Sequence, residues 1–307
     1  MVEFIMYHYV RDVKNSLFPK LKALDHNDFK FQINFLKKNY NIISIEEFYN
    51  NDFNKKSKNC VLTFDDGYRD HYDFVFETLV KNNIKGAFYP PVDVVLSNKL
   101  LDVNKIHIIL ASADEKKIFE RLKFHYNLRN TSKNSLEFYI QKINKFCRYD
   151  NEITVLIKRL LQTSLDYELR QKLCDDLLID FCIHSLKDLN DLFYLSLDQI
   201  LEMKDNGMHF GSHGKSHFWF ESLNADFQER EIAESKFFLD NIYKAEPYLL
   251  TMCFPYGSYN KITIDLLKKY NFKIGLTTIP QIYNPDHNTF LEIPRLDTTD
   301  KPKSSWK

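Results

Sequence analysis

Two adjacent carboxylates, Asp65 and Asp66, end the apolar run Val61-Leu62-Thr63-Phe64 and lead directly into Gly67 and Tyr68. Neighbouring side chains on a strand normally point to opposite faces, but where the strand ends in a glycine turn both can lean over one rim. There, one carboxylate can hold a metal while the other takes a proton. Asp-Gly is also a common turn dipeptide, so the pair gains weight only from a second motif. That motif is Gly211-Ser212-His213-Gly214-Lys215-Ser216-His217, just after the apolar Met208-His209-Phe210. Histidines four residues apart, in a helix or tight turn opening there, bring their imidazoles to one point. With Asp66 as the oxygen donor, His213 and His217 form a set for one divalent metal. Zinc is the first expectation, and cobalt, nickel or iron would accept the same donors.

A third element, Leu250-Thr251-Met252-Cys253-Phe254-Pro255-Tyr256-Gly257, is an apolar strand stopped by a Pro-Tyr-Gly turn. Taken in order, Thr63-Phe64-Asp65-Asp66-Gly67-Tyr68, His213-x3-His217 and Phe254-Pro255-Tyr256-Gly257 resemble the polysaccharide deacetylase superfamily (NodB-homology, carbohydrate esterase family four). The resemblance covers residues 1 to about 97 and about 196 to 307. It implies Asp65 as general base, Asp66, His213 and His217 as metal ligands, and the backbone N-H of Tyr256 as a donor to the oxyanion. The chemistry fits that division of labour. A metal lowers the pKa of a bound water toward neutrality, and a nearby carboxylate can take the proton as the water attacks an amide carbonyl.

The sequence departs from the family pattern twice. No Leu-x-His motif follows Pro294-Arg295-Leu296-Asp297, so the acid that protonates the departing amine must come from elsewhere. The opening Phe4-Ile5-Met6-Tyr7-His8-Tyr9-Val10 resembles the Tyr-His segment of the circularly permuted subgroup, which makes His8 the candidate acid. An aromatic-flanked core histidine is the competing reading, and His287, in Asn284-Pro285-Asp286-His287, is the fallback. The second departure is Cys253, where many family members carry arginine. Arg295 is the expected substitute, bracing Asp65 from a neighbouring strand end with Asp297 orienting an imidazole; the alternative is a surface ion pair. Cys253 itself reads as a small apolar residue.

With 307 residues and 44% apolar composition, the chain suits one large α/β domain, or one domain carrying an insertion. Its 42 basic and 42 acidic side chains balance, so no global field draws it to nucleic acid or an anionic membrane. Cys60, Cys147, Cys174, Cys182 and Cys253 show no paired spacing, which suits a reducing compartment. The start, Met1-Val2-Glu3-Phe4, has no basic segment followed by a long apolar run, so neither signal peptide nor transmembrane anchor is expected and the location reads as cytoplasmic.

Strands and amphipathic helices alternate at both ends of the chain. Strands are expected at 2–7, 60–64, 85–90, 208–210, 251–254, 272–276 and 290–293, and helices at about 27–39, 72–82, 225–244 and 261–270. Capping boxes are expected at Ser44 and Ser196. The pattern favours a parallel barrel with its chemistry at the C-terminal ends of the strands, and the resemblance implies a distorted, incomplete (β/α) barrel of the NodB-homology type. Residues 1–97 and 196–307 form the two parts of that barrel. Residues 98–195, with helix-favouring stretches such as 113–122, 135–147, 151–162 and 167–179, read as an inserted helical subdomain. Placed after the third strand, the insertion is expected near the barrel mouth, as a substrate-selecting wall, a lid, an oligomer contact or a plain packing module. Tyr126, Tyr139 and Tyr149 are its candidates for stacking on sugar rings, with core packing as the alternative.

The expected activity is metal-dependent removal of an N-acetyl group from an acetamido sugar, nucleotide-linked, lipid-linked or oligosaccharidic, in surface-polysaccharide synthesis such as O-antigen or capsule. The alternatives are an amidohydrolase acting on a non-sugar amide or imide, and a saccharide-binding homologue without turnover.

Overall fold

The computed structural model describes residues 1–97, 99–130, 134–145, 150–244 and 246–304. The chain divides into two compact units, one formed by Met1–Arg11, Ala23–Lys99 and Lys187–Lys307, the other by Asp12–Lys22 and Leu100–Leu186.

Among its described residues the first unit carries eight strands: β1 (Val2–Tyr7), β2 (Asn41–Ile42), β3 (Asn59–Asp65), β4 (Ala87–Tyr89), β5 (His209–Phe210), β6 (Thr251–Cys253), β7 (Ile274–Leu276) and β8 (Leu296–Asp297). Their ladders are all parallel, in the order β5-β4-β3-β1-β8, with β6 beside β7. The short β2 pairs with the start of β3, at Asn59 and Cys60, below the stretch that β4 occupies. Two parallel bridges complete the circuit. Ser212, just past β5, meets Met252, and Leu276 meets Ile293. The segment from Ile293 to Asp297 therefore touches β7 at one end and β1 at the other, closing an irregular barrel with Pro294 interrupting the ladder.

Every residue of β3 is buried, as expected for a central parallel strand covered on both faces. Tyr7, Phe64, Phe88 and Phe210 lie in register across β1, β3, β4 and β5, and their rings stack in sequence at 5.0, 4.7 and 5.6 Å. This row joins the outer core beneath the helices, with Ile33, Leu36, Leu79, Ile232 and Leu239. The opposite face of β3 turns Val61, Thr63 and Asp65 into the barrel, where Phe4, Ala87, Tyr89, Cys253, Ile274 and Ile293 form an inner core. Alternation along one strand thus delivers Asp65 to the interior rim.

Helix 26–39 begins at an Asp25 cap, and both expected capping boxes form, at Ser44 with Glu47 and at Ser196 with Gln199. The helix expected over 72–82 opens instead as a π-helical turn, His71–Phe76, before continuing as Glu77–Lys81. The strand expected at 290–293 does not form. Only Ile293 makes a bridge, and regular pairing resumes after Pro294, at β8. Residues 187–195, expected within the insertion, belong to the first unit: Leu195 N-H bonds the Gly67 carbonyl and Tyr194 bridges Tyr68.

The second unit is helical, comprising Asp102–Ser112, Glu115–Arg129, Leu136–Ile140, Glu152–Arg159 and Tyr167–Phe181. Ile106, Ile109, Ile118, Leu122, Ile157, Leu161, Leu173 and Leu177 form its buried core. Tyr126 belongs to that core, only 1% exposed and with its hydroxyl on the Asn134 carbonyl, so it offers no ring to a sugar. Tyr139 packs edge-on against it. Cys147 and Tyr149 lie outside the described residues. No helix among the described residues is long and apolar enough to cross a membrane.

Candidate active site

The strand ends bring the chemistry to one rim. Asp65 is the last residue of β3, and Asp66 and Gly67 then both adopt left-handed backbone, φ 70° and 66°. That reversal aims the two carboxylates at different partners. Gly67 is also required for space, because a Cβ there would lie 2.6 Å from Pro90 Cβ.

His213 and His217 meet Asp66, but not through a helical turn. They lie in the irregular loop after β5, and the left-handed residues Gly214 (φ 70°) and His217 (φ 60°) bend it so that both rings face one point. Asp66 Oδ1 stands 3.2 Å from the Nε2 atom of each histidine. Zinc-nitrogen bonds of about 2.0–2.1 Å at tetrahedral angles separate ligand atoms by roughly 3.3 Å, so this spacing suits a shared cation. The hydrogen bonds agree. Asp66 Oδ2 accepts the Tyr68 hydroxyl at 2.7 Å, whereas the buried Oδ1 has no hydrogen-bond partner. His213 Nδ1 lies 2.8 Å from the Cys253 carbonyl, which only an N-H can satisfy, so in the neutral ring Nε2 carries the lone pair. The residues present fit a divalent cation held by Asp66, His213 and His217.

Charge in the cluster is strongly coupled. Burial alone would raise the Asp66 carboxyl, but the imidazoles of His213 and His217 beside it hold it well below the ordinary carboxylate range. Burial lowers the His217 pKa. It also opposes charge on His213, but Cys253, Asp66 and Asp65 more than offset this and raise that imidazole well above its usual value.

Asp65 is held separately. Arg295, 1% exposed, donates from Nη1 to Oδ1 at 2.8 Å and from Nη2 to Oδ2 at 2.7 Å, and its Nε bonds the Thr277 carbonyl. This is a buried two-point brace, not a surface pair. Burial would raise the Asp65 pKa, but the guanidinium overrides it and lowers the carboxyl to about 2. Cys253 fills the remaining corner, with Sγ 3.3 Å from Asp65 Oδ2 and 3.1 Å from Arg295 Nη2. Burial raises its thiol, so it stays a neutral space-filler among polar neighbours. Asp65, His213 and Cys253 also lie close enough to share an ion, but Arg295 already occupies that corner with positive charge.

His8 follows β1 and places Nε2 3.8 Å from Asp65 Oδ2, with its side chain 41% exposed. It is thus a rim residue beside Asp65, not a core histidine. His287 lies exposed in the turn whose N-H bonds the Asn284 carbonyl. Asp297 does not orient an imidazole; its carboxylate caps the turn at Thr299 N-H. Tyr256 has φ 58° in the Pro255–Gly257 turn, and its ring centroid lies 4.6 Å from that of His217.

Two further residues escaped the sequence reading. Trp219 stacks on Tyr256 at 4.4 Å, and its buried Nε1 has no hydrogen-bond partner, leaving an aromatic wall with a spare donor beside His217. The aromatic run Phe218-Trp219-Phe220 directly after the histidine motif was the available signal. His71 Nε2 lies 2.9 Å from the His8 carbonyl and fixes the backbone of that residue. Nothing in its helical context singled it out.

Residues 181–275 match the family model described as polysaccharide deacetylase, a stretch that holds His213, His217 and Tyr256. YxkH of Bacillus subtilis (strain 168), which carries the name of a polysaccharide deacetylase, is 27% identical over 104 residues, 34% of this chain and 37% of that relative. The match therefore spans little more than a third of the relative's length. Among solved structures, the Streptococcus pyogenes deacetylase PplD in complex with acetate superposes with TM-score 0.57 at 18% identity, covering 96% of this chain and 91% of that one. IcaB from Ammonifex degensii gives TM-score 0.57 at 15% identity over 97% and 92%. The de-N-acetylase from Aggregatibacter actinomycetemcomitans gives 0.53 at 15% over 96% and 94%. These structural likenesses establish a shared fold along nearly the whole chain, and the family match shows that residues 181–275, around the histidine loop, are similar to polysaccharide deacetylases.

Proposed function

We propose that the protein is a metal-dependent hydrolase that removes the N-acetyl group from an acetamido sugar. The observation that carries this reading is the pairing of a cation-fitting triad with a neighbouring, separately braced carboxylate. When bound, a divalent cation supplies positive charge where the amide oxygen and the attacking water must meet. Arg295 keeps Asp65 ionised and oriented so that it can take the proton of that water. Its low pKa limits its strength as a base, so its contribution is mainly positioning and a brief stay of the proton. As the carbon-oxygen bond forms and the carbon-nitrogen bond breaks, His8, at the open rim, delivers a proton to the departing amine. Acetate and the free amino sugar result. Trp219 and Tyr256 offer a flat apolar wall against which a sugar ring or the acetyl methyl can rest.

The proposed substrates are nucleotide-linked, lipid-linked or oligomeric acetamido sugars, in the synthesis of a surface polysaccharide such as O-antigen or capsule. The names of the structural relatives, a deacetylase bound to acetate and a de-N-acetylase among them, support this class. Zinc is the proposed metal. A cytoplasmic location is proposed from the free cysteines Cys60, Cys174, Cys182 and Cys253, which suit a reducing compartment; cell fractionation tests it. The activity is tested by assaying acetate release from N-acetylated saccharides and nucleotide sugars. Release that stops on chelation and returns with zinc is expected. Turnover that survives complete metal removal would refute the mechanism.

A further inference from the structure

The loop that brings His213 and His217 together is built from conformations that need outside support. Gly214 and His217 both have positive φ, 70° and 60°, and for His217 that choice is costly because it carries a Cβ. The support comes from helix Ala225–Tyr243, whose side chains reach under the loop. Glu231, 5% exposed, accepts the N-H groups of Lys215 and Ser216 through one oxygen, Oε2, at 2.8 Å each. Two consecutive N-H groups aimed at one acceptor fix the peptide planes on both sides of Lys215 and so the direction in which the chain reaches His217. The fit beneath the loop is close, since a Cβ on Gly214 would lie 3.2 Å from Glu231 Oε2. One turn further along the helix, Ser235 accepts the Ser212 hydroxyl at 2.7 Å, and Ser212 Oγ accepts the Gly214 N-H at 3.1 Å. By contrast, Glu234 of the same helix reaches only the Lys215 ammonium, through a partly exposed ion pair at 2.5 Å.

We infer that Glu231 is the positioning residue of the metal centre, holding the Lys215-Ser216 peptides so that His213 and His217 face Asp66 before a cation arrives. This rests on the metal reading above. Glu231 touches neither the ligand atoms nor a substrate, so its effect must appear in metal affinity as well as in rate. What the loop needs is an acceptor at the right distance, not a charge. Glutamine, with an amide oxygen in the same place, therefore replaces it, whereas aspartate, shorter by one methylene, falls short.

The test measures zinc affinity of the full chain by competition with a chromogenic chelator, for the wild type, Glu231→Gln, Glu231→Asp, Glu231→Ala and Glu234→Ala, with circular dichroism to confirm folding. Glu231→Ala and Glu231→Asp are expected to bind zinc about 10–100-fold more weakly, as for the loss of other groups that orient metal ligands, while Glu231→Gln and Glu234→Ala stay near wild type. If the alanine variant does not fold, the aspartate variant carries the test. Wild-type affinity in a folded Glu231→Asp or Glu231→Ala protein overturns the inference, as does an equal loss in Glu234→Ala, which would mean that any disturbance of the helix suffices. A wild type that takes up no zinc would instead refute the metal reading itself.

Discussion

Arg295 holds both carboxylate oxygens of Asp65, at 2.8 and 2.7 Å, from a position 230 residues away in the sequence. The contact is made where the segment after Pro294 closes the barrel against β1, and both side chains are buried. One pair of hydrogen bonds thus links closure of the fold to the ionisation of the proposed base.

Removing the guanidinium should expose both roles. Arg295→Met leaves a buried carboxylate uncompensated, a change that costs about 3–5 kcal/mol in comparable pairs. With the opposing charge gone, burial dominates and the Asp65 pKa rises, so the acidic limb of the pH-rate profile moves to higher pH. Urea unfolding and a pH-rate profile check the two effects. An unshifted acidic limb in a folded variant would contradict the assignment of Asp65 as the group that must be ionised.

Asp65→Asn retains an acceptor for Arg295 but can no longer take a proton. Acetate release should fall by about 10²–10⁴-fold, with zinc content unchanged because Asp66 is intact. A variant that loses zinc as well would merge two roles that the geometry separates.

The two histidines considered as acid should differ sharply. His8→Gln should lower kcat by about 100-fold, whereas His287→Gln should stay within about twofold of wild type. The reverse ranking would move the acid to the 284–288 turn.

A pH effect on stability should arise away from the site. Burial raises the Glu46 carboxyl, but His209, 2.5 Å away, more than offsets this, and the carboxyl is lowered to about 2. A depressed carboxyl contributes in full above its unfolded value, about 4.3, and that contribution is lost as pH falls through the folded value. Glu46 is partly exposed, so Glu46→Gln should cost only about 1 kcal/mol at pH 7. Urea midpoints should show the gap between the two proteins narrowing as the pH drops from 4 toward 2. A gap that widens in acid would contradict the depressed value.

The parts of this molecule readable from sequence are those governed by local pattern. The apolar runs gave β1, β3 and β6 nearly to the residue, and Ser44 and Ser196 announced their helices through capping chemistry. That Asp66, His213 and His217 belong to one cluster able to hold a metal was legible because residue type alone restricts what such a cluster can do. How it assembles was not. The histidines converge through left-handed backbone at Gly214 and His217, supported by a helix that starts eight residues after His217, and no local spacing rule encodes that. Arg295 was legible as the brace for Asp65, but its burial was not, since that depends on where Pro294 breaks the ladder. The strand expected at 290–293 failed for the same reason: its apolar residues are used in loop packing, and pairing resumes only at Leu296. Tyr126 was read as either a stacking surface for a sugar or core and is core; the choice stayed open because helical spacing does not tell which face of an inserted helix is covered.

The central claim is that Asp66, His213 and His217 hold a catalytic metal. It is tested most directly by elemental mass spectrometry of the purified wild type beside a His213→Ala, His217→Ala double variant, as isolated and after zinc reconstitution. About one equivalent of divalent metal in the wild type, absent from the folded variant, is the predicted result, since two of the three protein ligands are removed. Equal metal in both proteins, or none in the reconstituted wild type, would contradict the account.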